Sequence, residues 1–385
     1  MARSRKTNRK ACAESASLVP AKRPLRRSGW LLILAFGFCV VGSAFWWRSH
    51  RAPAALANAA APQNLNPSLA QLLAMTPAQL ADVDVALMNL RCAEGLRGAE
   101  NLNVSASLQM LDQYARHADA ETTRHLYRYR NNPAEFEHSE AYFRLIMLST
   151  VLQQDFGVRY NPERVTSPGI FEPNEVFFAN SRDVFIHGLT SPPVMGTCSS
   201  LPVLFVAVGR RLGYPLRLVS TKCHLFVRWQ DSREYFNVDA TSIGLTRYDD
   251  DHYKTWPFKV SDEEIRLDGY LKSMTSREEL ACFMSTRGSC LMSMRRFDEA
   301  VAAEAEAARL VPHIRAYQLI LQMARQEAAA KSIHRVFSSD PTLDPESELE
   351  MAAWRAEILS RQRHGFDSLD PTLKIPGYGT HPPNR

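Results

Sequence analysis

Residues 196–244 read GTCSSLPVLFVAVGRRLGYPLRLVSTKCHLFVRWQDSREYFNVDATSIG. After a short polar turn, the run from Ser199 to Leu212 is almost wholly apolar and is stopped by Gly213, which predicts a buried helix. Two strands are expected next, Leu216–Trp229 and Glu234–Ala240, rich in branched and aromatic residues and parted by a polar loop. A buried helix backed by an antiparallel pair makes the fold class α+β.

The chemistry-bearing residues lie on these three elements. Cys198 stands just ahead of the helix, where unsatisfied N–H groups and the positive end of the dipole favour a thiolate. The same N–H groups can bind the oxyanion formed when a thiolate attacks a carbonyl. Gly196 allows the tight turn, and Pro202 suits an early helical position, so the first regular turn is expected at Ser199 or Ser200. If Gln230 to Arg233 form the loop, Trp229 pairs with Glu234 and His224 falls directly opposite Asp239, with Cβ atoms about 4.5–5.5 Å apart. At that separation a carboxylate can orient an imidazole and stabilise its protonated form. Strand alternation turns Cys223 to the opposite face, leaving Cys198 as the better nucleophile. Taken singly, a Cys before a helix, a His in a strand and an Asp at a strand end are ordinary structural residues. Their order and spacing together point to a Cys-His-Asp catalytic set.

The segments Gly196-Thr197-Cys198-Ser199-Ser200, Cys223-His224-Leu225-Phe226-Val227 and Phe236-Asn237-Val238-Asp239-Ala240-Thr241 resemble the three motifs of the transglutaminase-like superfamily. The resemblance covers roughly residues 67–244 and, more loosely, continues to about Pro312. It is closest to a bacterial branch in which such a domain is followed by tetratricopeptide-type repeats. It implies a papain-like α+β domain with Cys198 as nucleophile, His224 as general base and acid, and Asp239 orienting His224. The implied activity is cleavage of amide bonds through a thioester, resolved by water (peptidase or amidase) or by an amine (acyl transfer). Transglutaminases proper carry an aromatic residue directly after the cysteine, where this chain has Ser199. The competing expectation is an inactive, membrane-tethered scaffold that binds a protein partner through its helical repeats.

The rest of the chain frames that centre. It has 385 residues, 46 Lys+Arg against 41 Asp+Glu, and 45% hydrophobic residues. Those values exclude a wholly disordered, collagenous or polytopic membrane protein. Nine Lys/Arg against Glu14 alone precede Gly29, so the excess of positive charge is concentrated in the tail and gives no case for nucleic-acid binding. From Ser28 to Trp47 no residue is charged, and Trp30, Trp46 and Trp47 stand at the ends. This pattern predicts a single transmembrane anchor over 28–47 behind a cytoplasmic basic tail over 1–27, which would put the remainder outside the cytoplasmic membrane, in the periplasm of a two-membrane cell. The triplets Ala55-Leu56-Ala57 and Ala57-Asn58-Ala59 offer the alternative of a cleaved signal peptide, against which the apolar run is long. Residues 48–66 read as an Ala/Pro linker and 67–260 as the main domain.

Helices are expected from Thr76 to Gly95, from Ser105 to about His117 and from Ser139 to Gly157, with a short strand over Asp183–His187. Gly288, Ala300, Ala307 and Pro312 match the spacing of one tetratricopeptide unit within a helical region over 275–363, and 364–385 reads as a disordered tail. Helices are expected within it over His313–Lys331 and Ser347–Arg361. Of seven cysteines, Cys92, Cys198, Cys223, Cys282 and Cys290 follow the anchor, an odd number that leaves one thiol unpaired within the chain. No phosphate-binding loop, dinucleotide fingerprint or zinc-protease helix is present, so neither cofactor nor metal is expected. Asp249-Asp250-Asp251-His252 reads as a solvated acidic loop in preference to a cation site, and His187 and Asn180 as side chains that could donate to an oxyanion.

Overall fold

The computed structural model describes residues 66–165 and 174–338. Three short helices open it: α1 (Leu69–Ala74), α2 (Pro77–Ala81) and α3 (Val85–Ala93). Ser68 and Thr76 close capping boxes with Gln71 and Gln79. Asp84 caps α3 by accepting from the Ala86 N–H, which is why the one helix expected over Thr76–Gly95 is two. Next, α4 (Val104–Asn131) runs well past His117, because its buried stripe continues through the small residues Ala118 and Thr122. Ser139 caps α5 (Glu140–Thr150), whose last turns widen into a π-helical segment, Val151–Asp155, before Gly157.

β1 (Arg159–Tyr160), α6 (Asn174–Phe177), α7 (Ser181–Val184) and β2 (Met195–Gly196) follow, with β1 and β2 paired in parallel. The strand expected over Asp183–His187 is not formed. The Asn180 side chain accepts from the Arg182 N–H and starts α7 instead, and Ile186–Leu189 continues as a 3₁₀ turn.

The buried helix is α8 (Leu201–Arg211), two residues later at its start than expected. Every residue from Leu201 to Gly209 is buried. A helix apolar on all sides must be covered on all sides, and α3, α4, β3 (Leu216–Thr221) and β4 (His224–Gln230) do so. With β5 (Tyr235–Asp239) and β6 (Thr246–Tyr248) these strands form an antiparallel meander in the order β3-β4-β5-β6.

Two sequence expectations are corrected here. The single strand over Leu216–Trp229 is folded in half by a two-residue turn at Lys222-Cys223, with Thr221 opposite His224. No Gly, Pro or Asn marks this turn; Cys223 itself takes the left-handed conformation, with φ 62°. The β4–β5 register also differs. Gln230 pairs with Tyr235 and Trp229 with Phe236, so Asp239 is a diagonal neighbour of His224, two positions from facing it. A slip of two keeps every side chain on its face, so the pair survives the error.

One sheet face, with Leu225, Val227, Trp229, Phe236 and Val238, belongs to the core around α8. The other carries Val219 and Phe226 against Tyr253, Val260, Tyr270 and Leu271, with the Phe226 and Tyr253 rings stacked at 3.8 Å. Tyr253 comes from α9 (Asp250–Thr255), followed by α10 (Asp262–Leu267).

The chain then forms α11 (Ser276–Ser293), α12 (Phe297–Leu310) and α13 (Arg315–Ser338). Gly288 permits the close approach of α11 and α12, since a Cβ there would lie 2.2 Å from Glu304 Oε1. This hairpin shares one core with the helices around α8: Leu280, Phe283 and Leu291 pack in the same cluster as Leu90 and Leu204.

An architecture that includes a membrane helix is corrected. Among the described residues no helix is long and apolar enough to cross a membrane. The 28-residue α4, the longest among the described residues, carries Asp112, Arg116, Asp119, Glu121, Arg124, Arg128 and Arg130. The segment 28–47 lies outside the described residues, as do the tail over 1–27, the linker up to residue 65, and everything after 338, including the helix expected over Ser347–Arg361.

Candidate functional site

The loop that bears Cys198 is built by polar bonds on both sides of the cysteine. The Gly196 carbonyl accepts from the Asn161 N–H at 2.8 Å, which ties β2 to β1. Thr197 Oγ1 and Ser200 Oγ both donate to the Asp183 carbonyl, at 3.0 and 2.7 Å. Ser200 Oγ also accepts from the Thr197 N–H at 3.0 Å. Asp183 is held in turn through its carboxylate, which accepts from Asn161 Nδ2 at 2.8 Å and Arg164 Nε at 3.1 Å. Gly196 is needed for packing as well as for the turn: a Cβ would stand 2.3 Å from Ser200 Oγ. Cys198 is thus presented, partly exposed, on a clamped turn just before α8.

The expectation that several helix N–H groups serve an oxyanion is narrowed by the same bonds. The Thr197 carbonyl takes the N–H groups of Ser200 and Leu201, and Thr197 Oγ1 takes that of Ser199. The N–H of Cys198 is left as the donor for an oxyanion.

His224 is the first residue of β4 and Asp239 the last of β5, both buried. His224 Nε2 bonds to Asp239 Oδ2 at 2.8 Å, and the Cys198 thiol is near enough to the imidazole to act on its charge. With Nε2 engaged by the carboxylate, Nδ1 is the nitrogen left for the thiol. Trp256 meets the imidazole edge-on at 4.7 Å and Tyr253 lies 6.2 Å away, walling it from water. Burial alone would lower the His224 pKa, yet Asp239 and Cys198 overcome it and raise it to about 9. Burial acts on Asp239 in the opposite sense, but the bonds from His224 and from Thr241 hold its carboxyl below the usual value. The Thr241 N–H donates to Asp239 Oδ1 at 2.8 Å, so Oδ2 is kept for the imidazole.

The structure therefore brings Cys198, His224 and Asp239 together and leaves the other candidates apart. His187 is buried with Nε2 on Ser181 Oγ at 3.0 Å, and burial followed by the nearby Arg182 charge lowers its pKa to about 4. Asn180 is spent on capping α7. Asp249 caps α9, Asp250 binds Arg228 at 2.6 Å and Asp251 binds Lys254 at 2.7 Å. Among the described residues no group of His, Cys, Asp and Glu is arranged to hold a metal ion.

Asp183, Asn161 and Arg164 were missed from sequence. Thr197 and Ser200 flanked the cysteine and signalled that its loop is held. Their shared acceptor is a main-chain carbonyl, which no side-chain pattern announces. The five described cysteines, Cys92, Cys198, Cys223, Cys282 and Cys290, are all free thiols. Comparison of the chain with protein-family models, with curated proteins and with solved structures gave no match.

Proposed function

We propose that this chain is a transglutaminase-like cysteine enzyme that opens amide bonds through a thioester on Cys198. The observation that supports the reading is one imidazole, His224, hydrogen-bonded to the Asp239 carboxylate at 2.8 Å with the Cys198 thiol beside it. Asp239 holds Nε2–H, which directs the lone pair or proton at Nδ1 towards sulfur.

The Cys198 proton passes to Nδ1, and the thiolate adds to the carbonyl carbon of the substrate amide. The resulting oxyanion accepts from the Cys198 N–H. Nδ1–H then protonates the nitrogen of the leaving amine, the C–N bond breaks and a thioester remains. In the second half, His224 takes a proton from water or from an incoming amine as that nucleophile attacks the thioester, and sulfur departs as the thiolate. The substrates fitting this chemistry are amides of proteins or peptides.

The test is to incubate the full chain with peptide amides in the presence and absence of a fluorescent primary amine. Released amine and amine incorporated into the peptide are measured together. Turnover in either channel that vanishes in Cys198→Ala and falls in His224→Ala supports the reading. Turnover that persists in Cys198→Ala overturns it.

A further inference from the structure

A second thiol stands beside the nucleophile. Cys223 occupies the second position of the turn between β3 and β4, with φ 62°. Left-handed backbone suits Gly or Asn and is strained for other side chains. Cys223 does not recover this by joining the core, because the residue is exposed. Backbone requirements therefore give no reason for a cysteine at this position.

Its placement supplies one. Cys198 Sγ lies 3.9 Å from the Cys223 carbonyl oxygen. A carbonyl oxygen is about 2.4 Å from its own Cα, so the Cys223 Cα lies within about 6.3 Å of Cys198 Sγ. Cys198 Sγ is itself about 2.8 Å from its Cα, so the two Cα atoms lie at most about 9 Å apart, a bound that contains the roughly 4.4–6.8 Å of disulfide-linked residues.

The turn is pinned on both sides. Lys222 Nζ pairs with Glu264 Oε1 at 2.6 Å, and Thr221 Oγ1 donates to the Tyr253 carbonyl at 2.7 Å. Of the two thiols, Cys198 is the one beside an imidazole, and Cys223 is exposed on the turn.

We propose that Cys223 is the resolving thiol of a peroxide-driven disulfide with Cys198, which reversibly caps the nucleophile. The inference rests on Cys198 being the reactive thiol of the reading above. The Cys198 thiolate attacks one oxygen of hydrogen peroxide and the O–O bond breaks. Sulfur is oxidised to the sulfenic acid, and the peroxide is reduced to hydroxide, which takes a proton to become water. The Cys223 sulfur then attacks the Cys198 sulfur, the S–S bond forms, and the hydroxyl leaves with the Cys223 proton as a second molecule of water. A dithiol reductant returns both thiols. The trapped form protects Cys198 from irreversible sulfinic and sulfonic acids.

The full chain is treated with hydrogen peroxide at neutral pH, with and without dimedone, and its peptides are mapped by mass spectrometry. Cys223→Ser and Cys223→Gly are run beside it, the latter favoured by the left-handed backbone. The expected result is a peptide pair linked through Cys198 and Cys223 that dithiothreitol separates. Dimedone-trapped Cys198 should be at least tenfold more abundant in both variants than in the wild type. Equal trapping in wild type and variants, with no linked pair, overturns the resolving role while leaving Cys198 as a reactive thiol. Absence of both peroxide oxidation and rapid iodoacetamide labelling at Cys198 overturns the inference together with the reading it rests on.

Discussion

Replacing Asp239 by Asn tests how the triad is poised. The carboxylate accepts from His224 Nε2 at 2.8 Å and from the Thr241 N–H at 2.8 Å. An amide oxygen can keep the bond from Thr241, which turns the NH₂ group towards Nε2. Nε2 must then accept, so the imidazole carries its proton on Nδ1, facing the thiol and unable to take the thiol proton. The size of the effect follows from His224, raised from the ordinary 6.5 to about 9. The difference corresponds to about 3 kcal/mol in favour of the imidazolium, shared between Asp239 and Cys198. Burial, which lowers the value, and Cys198, which raises it, both stay in the variant, so the titration midpoint should fall well below the wild-type value.

The assay follows the C–H resonances of isotopically labelled histidine against pH, with His224→Gln identifying the signal. Iodoacetamide labelling of Cys198 at pH 7 is read in parallel and should slow by at least about tenfold, since the lost preference exceeds one pH unit of free energy. The raised His224 value also makes the protein most stable while the imidazole is protonated. That increment is complete below about 6.5, is lost as the pH climbs through about 9, and is smaller in Asp239→Asn. A variant whose His224 still titrates above 8, or a wild type that titrates near 6.5, would refute the role given to Asp239.

Glu304 is buried between α11 and α12 with no partner on Oε2, and burial raises its pKa from 4.5 to about 8. The folded chain holds this proton more tightly than the unfolded one, so stability is lost as pH rises from about 4.5 to about 8, by about 3 kcal/mol at pH 7. Glu304→Gln should remove that slope in urea titrations at pH 5, 7 and 8.5, and parallel slopes would contradict it. Arg228 is buried and donates to Asn237 Oδ1, the Leu271 carbonyl and Asp250 Oδ1. Arg228→Met strips all three acceptors and should cost about 3–5 kcal/mol, measured by denaturant midpoint. Gly196→Ala drives a methyl group into Ser200 Oγ and Leu189. It should slow iodoacetamide labelling of Cys198 by about tenfold or more, because a small displacement of a reacting group is felt steeply, while overpacking costs only about 1–3 kcal/mol in a melt.

What the chain declares in advance is governed by period and parity. The apolar run after Cys198 could only be a buried helix, and alternation put His224 and Asp239 on one face for any loop with an even number of residues. Parity is indifferent to a slip of two, which is why the triad was legible although the register was not. The turn at Lys222-Cys223 escaped notice because the residues around it are strand formers and the left-handed position carries none of the residues that signal it. The strand expected over Asp183–His187 failed for a local reason: Asn180 offers the backbone a cap, and that competes with a ladder that has no partner strand. Asp183, Asn161 and Arg164 act through a main-chain carbonyl and a chain of partners distant in sequence. Contacts of that kind exist only once the loops are folded against one another.

The bond between Arg210 and Glu279 carries a consequence for dissecting the molecule. Arg210, at the end of α8, reaches both oxygens of the fully buried Glu279 on α11, at 3.0 and 2.6 Å. The helix that begins beside Cys198 is therefore bolted at its far end to the C-terminal hairpin. Cutting the chain after residue 260 would not release a self-sufficient domain. It would uncover the apolar side of α3 and strand a guanidinium whose counter-charge has gone. The C-terminal helices belong to the chassis of the fold, and a ligand that pulls on them pulls on α8.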